Sequence, residues 1–300
     1  ELRKNLLGLG VECGIHYKPN HLLQMYSNPN IKLPITESIY DEVISIPCHV
    51  DLSTLEQEYV IDKIISLIRP QPEEHILEVG PGARALTDHL VDAGSRVTAV
   101  EIDRNLYAQM KNHYREADNF LASNEDILNC DIEKLTINST EWKIVGNLPY
   151  NIATPLIIKL LNYRGIWSEM IFMLQKEVAE RFTAICGTKP YGRLSIMAQR
   201  KAQIEYHFQV DKNSFEPIPK VQSAVVRFIK KEHDVSPDFE KCLEDIVRTA
   251  FNTRRKTIAN SLCKIFTADA LREAGIDPKD RAENISISSY EALAKMKLHS

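Results

Sequence analysis

No apolar run in this 300-residue chain approaches 18 residues, the length at which a stretch reads as a membrane-crossing helix. Nor does a leader-peptide pattern open it. A soluble, non-secreted, cytoplasmic protein with no membrane partner is expected. The six cysteines (Cys13, Cys48, Cys130, Cys186, Cys242 and Cys263) include no Cys-x-x-Cys pair, which argues against zinc and against a disulfide framework; reduced thiols and no metal are expected. Internal repeats and low-complexity tracts are also missing. Basic residues are not in excess either: the net charge is -4, which taken whole argues against a nucleic-acid partner. What is present is ample apolar material, 44% of the chain, for two domains and an extra lobe.

The distribution of charge reverses the first impression. Residues 51–141 carry 18 acidic and 8 basic side chains, whereas residues 181–231 carry 3 acidic and 10 basic. The basic section includes Arg181, Lys189, Arg193, Arg200, Lys201, Lys220, Lys230 and Lys231, interleaved with Tyr191, Tyr206, Phe208 and Phe215. Cations that neutralise phosphates and aromatics that stack on unpaired bases are what single-stranded RNA binding asks for; an ordinary solvated surface is the plainer reading of the same residues. Arg254-Arg255-Lys256 is expected at a helix start, where the helix dipole disfavours cations, and three of them there point to phosphate.

Two motifs carry chemistry. His75-Ile76-Leu77-Glu78-Val79 reads as a buried strand, and Gly80-Pro81-Gly82-Ala83-Arg84-Ala85 as a tight turn into a helix, in a Gly-x-Gly-x-x-Gly/Ala pattern. Arg96-Val97-Thr98-Ala99-Val100 then ends in Glu101, spaced as a ribose-binding acid should be. After a third strand, Asp126 offers a carboxylate to an adenine amino group. These features alone fit NAD equally well. The second motif is Asn147-Leu148-Pro149-Tyr150, at the end of the strand Trp142-Lys143-Ile144-Val145-Gly146, with Thr154-Pro155 expected to cap and open the next helix. The lone pair of an adenine amino nitrogen is delocalised into the ring. Two acceptors, the Asn147 side-chain oxygen and the Leu148 carbonyl, can bind its two N–H groups and draw it out of conjugation, while Pro149 stiffens the loop and Tyr150 stacks the base. An Asn-Pro turn after a strand is the plainer reading. The order glycine loop, acid, Asp126, then this tetrapeptide favours S-adenosyl-L-methionine over NAD. Phe172 is a second candidate to face the base, with core the favoured role.

From about Val60 onward, over roughly four-fifths of the chain, the sequence resembles the bacterial KsgA/Dim-type small-subunit rRNA adenine dimethyltransferases. The likeness rests on Glu78-Val79-Gly80-Pro81-Gly82, Val100-Glu101-Ile102-Asp103, Gly146 to Pro155, Met173 to Val178, Tyr191-Gly192-Arg193-Leu194-Ser195, Phe215 to Val221, Ala250 to Thr257 and Arg281-Ala282-Glu283-Asn284. It implies that Glu78, Gly80, Gly82, Glu101, Ile102, Asp126, Ile127 and Asn147 bind the cofactor, that Asn147 to Tyr150 hold the target base, and that Arg193, Lys220, Arg254, Arg255 and Lys256 contact RNA. It also implies methylation of two adjacent adenosines near the 3′ end of small-subunit rRNA, the ribosomal small subunit as partner, and a monomer.

The first 58 residues do not follow that pattern, and the family's Gly-Gln-Asn-Phe-Leu string is not found. Instead Leu6 to Pro19, Leu33 to Glu37 and Ile44 to His49 are similar to the C-terminal part of DegT/DnrJ/EryC-type PLP sugar aminotransferases. The Schiff-base lysine of such enzymes lies outside the matching part, so aminotransferase activity is not expected. The join falls near Leu55 to Lys63, where Ser53-Thr54-Leu55-Glu56 reads as a capping box ahead of the apolar stripe Val60, Ile61, Ile64, Ile65 and Ile68.

The fold class implied is α/β: a Rossmann-like class I methyltransferase sheet with a small C-terminal helical domain and an atypical N-terminal segment. The domains are expected at 1–58, 59–231 and 232–300. Strands are expected at 75–79, 96–101, 119–122, 142–146 and 169–174, alternating with helices, followed by an antiparallel pair at 203–210 and 223–229. Helices are expected at 239–251, 254–266, 268–274 and 289–297. An active dimethyltransferase is the leading reading. The alternatives are a catalytically silent rRNA-binding or ribosome-assembly protein, and a DNA adenine methyltransferase or an unrelated methyltransferase fold.

Overall fold

Strands that are apolar on both faces belong in a sheet covered on both sides, and β1 (His75–Val79) shows how this is met. Leu77 and Val79 enter one buried cluster, with Ile144, Leu156 and Phe172. Ile76 enters the opposite cluster, with Ile64, Val97 and Ile171. The structure, a computed structural model, describes residues 54–136, 141–163, 165–212, 221–232 and 236–299. In it, α1 (Thr54–Ile68) leads into a sheet built from β1, β2 (Arg96–Val100), β3 (Phe120–Ser123), β4 (Trp142–Asn147), β5 (Trp167–Gln175), β6 (Ala202–Val210) and β7 (Ser223–Lys230). The spatial order is β3-β2-β1-β4-β5-β7-β6. The first five strands are parallel, and β7 runs antiparallel to both β5 and β6. All seven expected strands are present, within two residues at their ends.

β7 illustrates the two-faced pattern again. Ala224, Val226 and Phe228 join the first cluster and Val225 joins the second. Its central charged residue, Arg227, is held by Glu169 on β5 at 2.8 Å and 3.0 Å. Phe172 is fully buried, so it belongs to the core.

Helices α2 (Thr87–Asp92), α3 (Arg104–His113), α4 (Ile132–Leu135), α5 (Ala153–Asn162) and α6 (Lys176–Phe182) follow successive strands, and α7 (Arg193–Lys201) precedes β6. Beyond β7 come α8 (Pro237–Asn252), α9 (Ile258–Ser261), α10 (Ala268–Glu273) and α11 (Ile287–Leu298). Pro237 opens α8 behind Ser236, whose hydroxyl accepts from the Phe239 amide, a standard cap. The buried stripe Phe239, Cys242, Leu243, Ile246, Val247 and Ala250 has helical spacing and forms a third cluster with Tyr290 and Leu293.

α7 serves both parts. Leu194 and Ala198 pack with the sheet, whereas Ile196 packs with the C-terminal helices. At its end the Arg200 side chain is fully buried. It donates to Glu291 of α11 at 2.7 Å and to Glu240 of α8 at 3.1 Å.

Two local expectations are corrected. α5 begins at Ala153 with Ile152 as its cap; Thr154 and Pro155 lie inside the first turn. The cause is the Pro149 carbonyl, which accepts from both Ile152 and Ala153 and closes the turn early. Pro155 is harmless there because first-turn amides have no intrahelical partner. The helix expected over 254–266 is reduced to Ile258–Ser261. Thr257 is drawn into an extended bridge with Arg281, and the Ile258 amide donates to Asp280, so tertiary pairing breaks the helical run. Ser53, the capping residue of the box expected at Ser53-Thr54-Leu55-Glu56, and the segment before it lie outside the described residues.

Candidate active site

In an open parallel sheet the ligand crevice lies at the carboxyl ends of the strands, where the strand order reverses. Here that point falls between β1 and β4, and it brings the two sequence motifs together. The glycine loop leaves β1, and Asn147 ends β4. Gly80 and Gly82 both have positive φ, +66° and +57°, a conformation that glycine adopts at no steric cost. A β-carbon on Gly80 would meet nothing within 4 Å, so the backbone here faces open space. Arg84, two residues on, is also left-handed, at +71°, without glycine's freedom.

Glu101, at the end of β2, is nearly buried. Its carboxylate accepts from the Gly82 amide at 3.2 Å and the Asp103 amide at 2.9 Å, which pins it beside the glycine loop. Ile102 next to it is 67% exposed, an apolar face left open among the described residues. Asp126 accepts from the Leu128 amide and the Asn129 side chain, at 2.9 Å and 2.8 Å. These two bonds use half of its acceptor capacity. Ile127 packs its side chain into the core, so its main chain is what it can offer a ligand.

Glu78 lies beneath the loop, fully enclosed, and its Oε2 atom has no partner among the described residues. Burial pushes its carboxyl up to about 7; the nearby Thr87 hydroxyl opposes the rise, and the Asp88 and Glu101 carboxylates add to it. A buried, orphaned oxygen beneath the loop favours a cationic or hydrogen-bond-donating partner.

At β4 the Leu148 amide donates to the Met173 carbonyl at 3.2 Å, and the Leu148 side chain is buried. Asn147 is exposed. Among the described residues, no hydrogen bond takes up its side chain or the Leu148 carbonyl. Two acceptors therefore stand side by side, unengaged, at the crevice. Tyr150 is 37% exposed, and its hydroxyl lies 3.3 Å from Ser223 Oγ, which steadies the ring without covering it. Gly146 is indispensable to the placement of this strand end: a β-carbon there would lie 2.5 Å from the Val79 carbonyl oxygen.

Residues 52–298 match the ribosomal RNA adenine dimethylase family. The chain belongs to that family. Its relatives include the ribosomal RNA small subunit methyltransferase A of Pseudomonas syringae pv. syringae, 42% identical over 78% of this chain and 88% of that protein. The same-named protein of Photorhabdus laumondii is 42% identical over 80% and 89%. Among solved structures, a dimethyladenosine transferase from Plasmodium falciparum is 25% identical with a TM-score of 0.68, covering 78% of this chain and 94% of that one. The 23S rRNA methyltransferase ErmE shares the fold, at a TM-score of 0.65 and 24% identity over 81% and 98%. Residues 1–65 match the DegT/DnrJ/EryC1/StrS aminotransferase family, so the two matches overlap in α1.

The basic residues divide by what holds them. Arg193 is paired with Glu244 of α8 at 2.5 Å. Arg254 is paired with Glu283 at 2.6 Å and donates to the Lys189 carbonyl at 2.5 Å. Arg255 and Lys256 are exposed, with no ion pair among the described residues. Lys220 lies outside the described residues. These three cations at 254–256 occupy the turn ahead of α9, so a helix dipole is not what they work against. The partners Glu244 and Glu283, the left-handed Arg84 and the close approach at Gly146 carried no mark in the sequence that pointed to them. Among the described residues no cluster of His, Cys, Asp or Glu could hold a metal ion, and no helix is long and apolar enough to cross a membrane.

Proposed function

We propose that this chain transfers methyl groups from S-adenosyl-L-methionine to N6 of two adjacent adenosines near the 3′ end of small-subunit rRNA, two to each, during small-subunit assembly. It does so in the cytoplasm as a monomer. The observation that carries this reading is the pair of unengaged acceptors, Asn147 Oδ1 and the Leu148 carbonyl, at the crevice of a rRNA adenine dimethylase sheet. Residues 59–231 form the cofactor and base-binding domain, and residues 232–300 the RNA-binding helical domain. Residues 1–58 form the aminotransferase-like segment.

The crevice fits the cofactor. The buried Glu101 carboxylate beside the glycine loop suits a ribose diol, exposed Ile102 an adenine face, and Asp126 with the Ile127 main chain the adenine edge. The orphaned Glu78 oxygen suits the ammonium of the methionine portion. When bound, S-adenosyl-L-methionine supplies a methyl carbon on a positively charged sulfur, which makes it a strong electrophile.

The rest is alignment. Asn147 Oδ1 and the Leu148 carbonyl accept the two N–H groups of the adenine amine, which frees its lone pair, and Pro149 holds the loop. Tyr150 stacks an adenine that has left its helix, since the amine is hidden in a duplex. The lone pair forms the N–C bond as the C–S bond breaks and its electron pair passes to sulfur. The amine proton then leaves to water.

The test is transfer of labelled methyl to undermethylated small ribosomal subunits, with Asn147→Ala as control. Label on adenosine that the substitution abolishes supports the reading. RNA binding without label would leave a silent rRNA-binding protein.

A further inference from the structure

A cavity of about 160 Å³ lies between α1 and the carboxyl ends of the central strands. Its walls include Val60, Ile61 and Ile64 of α1, Leu86 after the glycine loop and Met173 and Val225 of the sheet; Gln57 and Asn147 are its polar residues, Asn147 at the reacting end. The enclosed wall is apolar, and it opens beside one of the two acceptors that the proposed chemistry needs.

Two transfers to one nitrogen pose a geometric problem. Before the first, the amine has two N–H groups for two acceptors. After it, the nitrogen keeps one hydrogen and carries a methyl where the other hydrogen pointed. One acceptor must give way. The Leu148 carbonyl is not free to do so, because its residue is anchored by the amide bond to Met173 and by a buried side chain. Asn147 is exposed and, among the described residues, tied to nothing. Its side chain can rotate aside, and the surface then presented to the methyl is the apolar cavity wall. A methyl takes up roughly the 30 Å³ of one water molecule, so the space accommodates it with the edge of the amine. Moving it from water onto apolar surface is favourable.

The geometry points to this cavity as the seat of the first methyl group, and so as the feature that lets the reaction run to dimethyladenosine. In the second transfer the Leu148 carbonyl holds the one remaining N–H, and the lone pair again forms an N–C bond as the C–S bond of a second sulfonium donor breaks, with the proton leaving to water. The inference rests on the proposed function and assigns a product-setting role to Val60 and Ile61, neither of which touches the reacting nitrogen in the first transfer.

The test is to fill the cavity from α1. Val60 and Ile61 are partly exposed, so Val60→Phe and Ile61→Phe, made separately, add bulk without rebuilding the core. Gln57→Phe, at a partly exposed position of α1 on the cavity wall, replaces them should either lose its fold by thermal melting. Methylated small subunits are digested and the nucleosides quantified by mass spectrometry over time. The expected result is that the first methyl appears at a near wild-type rate while the second slows by about tenfold or more, so that monomethyladenosine accumulates. An unchanged ratio of mono- to dimethyladenosine in folded variants overturns the inference. So does an equal fall in both steps with weakened cofactor binding, which would make the cavity part of the donor site. Absence of any methyl transfer by the wild-type chain would instead refute the proposed function itself.

Discussion

Gly146 passes the Val79 carbonyl oxygen so closely that a β-carbon would stand 2.5 Å from it. Backbone cannot yield as a flexible side chain can, so Gly146→Ala must push β4 away from β1 and carry Asn147 with it. The expected cost is about 1–3 kcal/mol of stability. A larger proportional loss of methyl transfer should accompany it, since misplacement by an ångström is costly in an alignment-driven reaction. Urea unfolding and a turnover assay on the same preparation check both; wild-type turnover at reduced stability would dissociate the strand end from catalysis.

Glu78 should leave a signature in the pH dependence of folding. A carboxyl raised from 4.5 to about 7 in the fold keeps a proton that the unfolded chain has already released. The contribution of Glu78 to stability is therefore fully present below about pH 4.5, is lost as pH rises to about 7, and then levels. The decline is on the order of 1–3 kcal/mol. Glu78→Gln should remove that slope, measured by denaturant unfolding at pH 5, 6, 7 and 8 without cofactor. A slope that survives the substitution would assign it to other groups.

Arg84 sits at φ +71°, where a side chain costs about 1–2 kcal/mol. Its contact with Asp88 is loose, at 3.9 Å between half-exposed groups, and such pairs add little. Arg84→Gly should raise stability by about 0.5–1 kcal/mol after the entropy of the added glycine is counted. A thermal melt that falls by several degrees would show that the guanidinium holds the loop.

The cations of the 254–256 turn should separate by function. Arg255→Ala and Lys256→Ala should leave the melting temperature within about a degree. Each should reduce the salt dependence of RNA binding by about one unit of slope. Arg254→Ala should lower stability instead, because Glu283 and the Lys189 carbonyl lose their partner. Filter-binding titrations at several salt concentrations, beside thermal melts, distinguish the two; equal slopes for all three variants would refute the division.

The sheet was legible because its signals are local and redundant. Ala224, Val225, Val226 and Phe228 announce a strand covered on both faces whatever lies next to it, and the Asn147 tetrapeptide announces the strand end. What could not be read depends on partners distant in sequence. The run from Arg254 to Phe266 has helical composition, and only the pairing of Thr257 with Arg281 interrupts it. Arg193 looks like a free cation until Glu244, 51 residues away, is folded against it. The start of α5 was misplaced because Thr154-Pro155 is a good opening signal in isolation, while the Pro149 carbonyl had already begun the turn.

Arg200 has a consequence beyond its own hydrogen bonds. Its guanidinium is enclosed between Glu240 and Glu291, and α7 shares side chains with both cores, so α7 ties the sheet to the C-terminal helices. The 254–256 turn and Asn147 are thereby linked through one shared helix. We propose that such a link works as a gauge: among many unpaired adenines, it favours those that stand at the right distance from a phosphate the turn can grip.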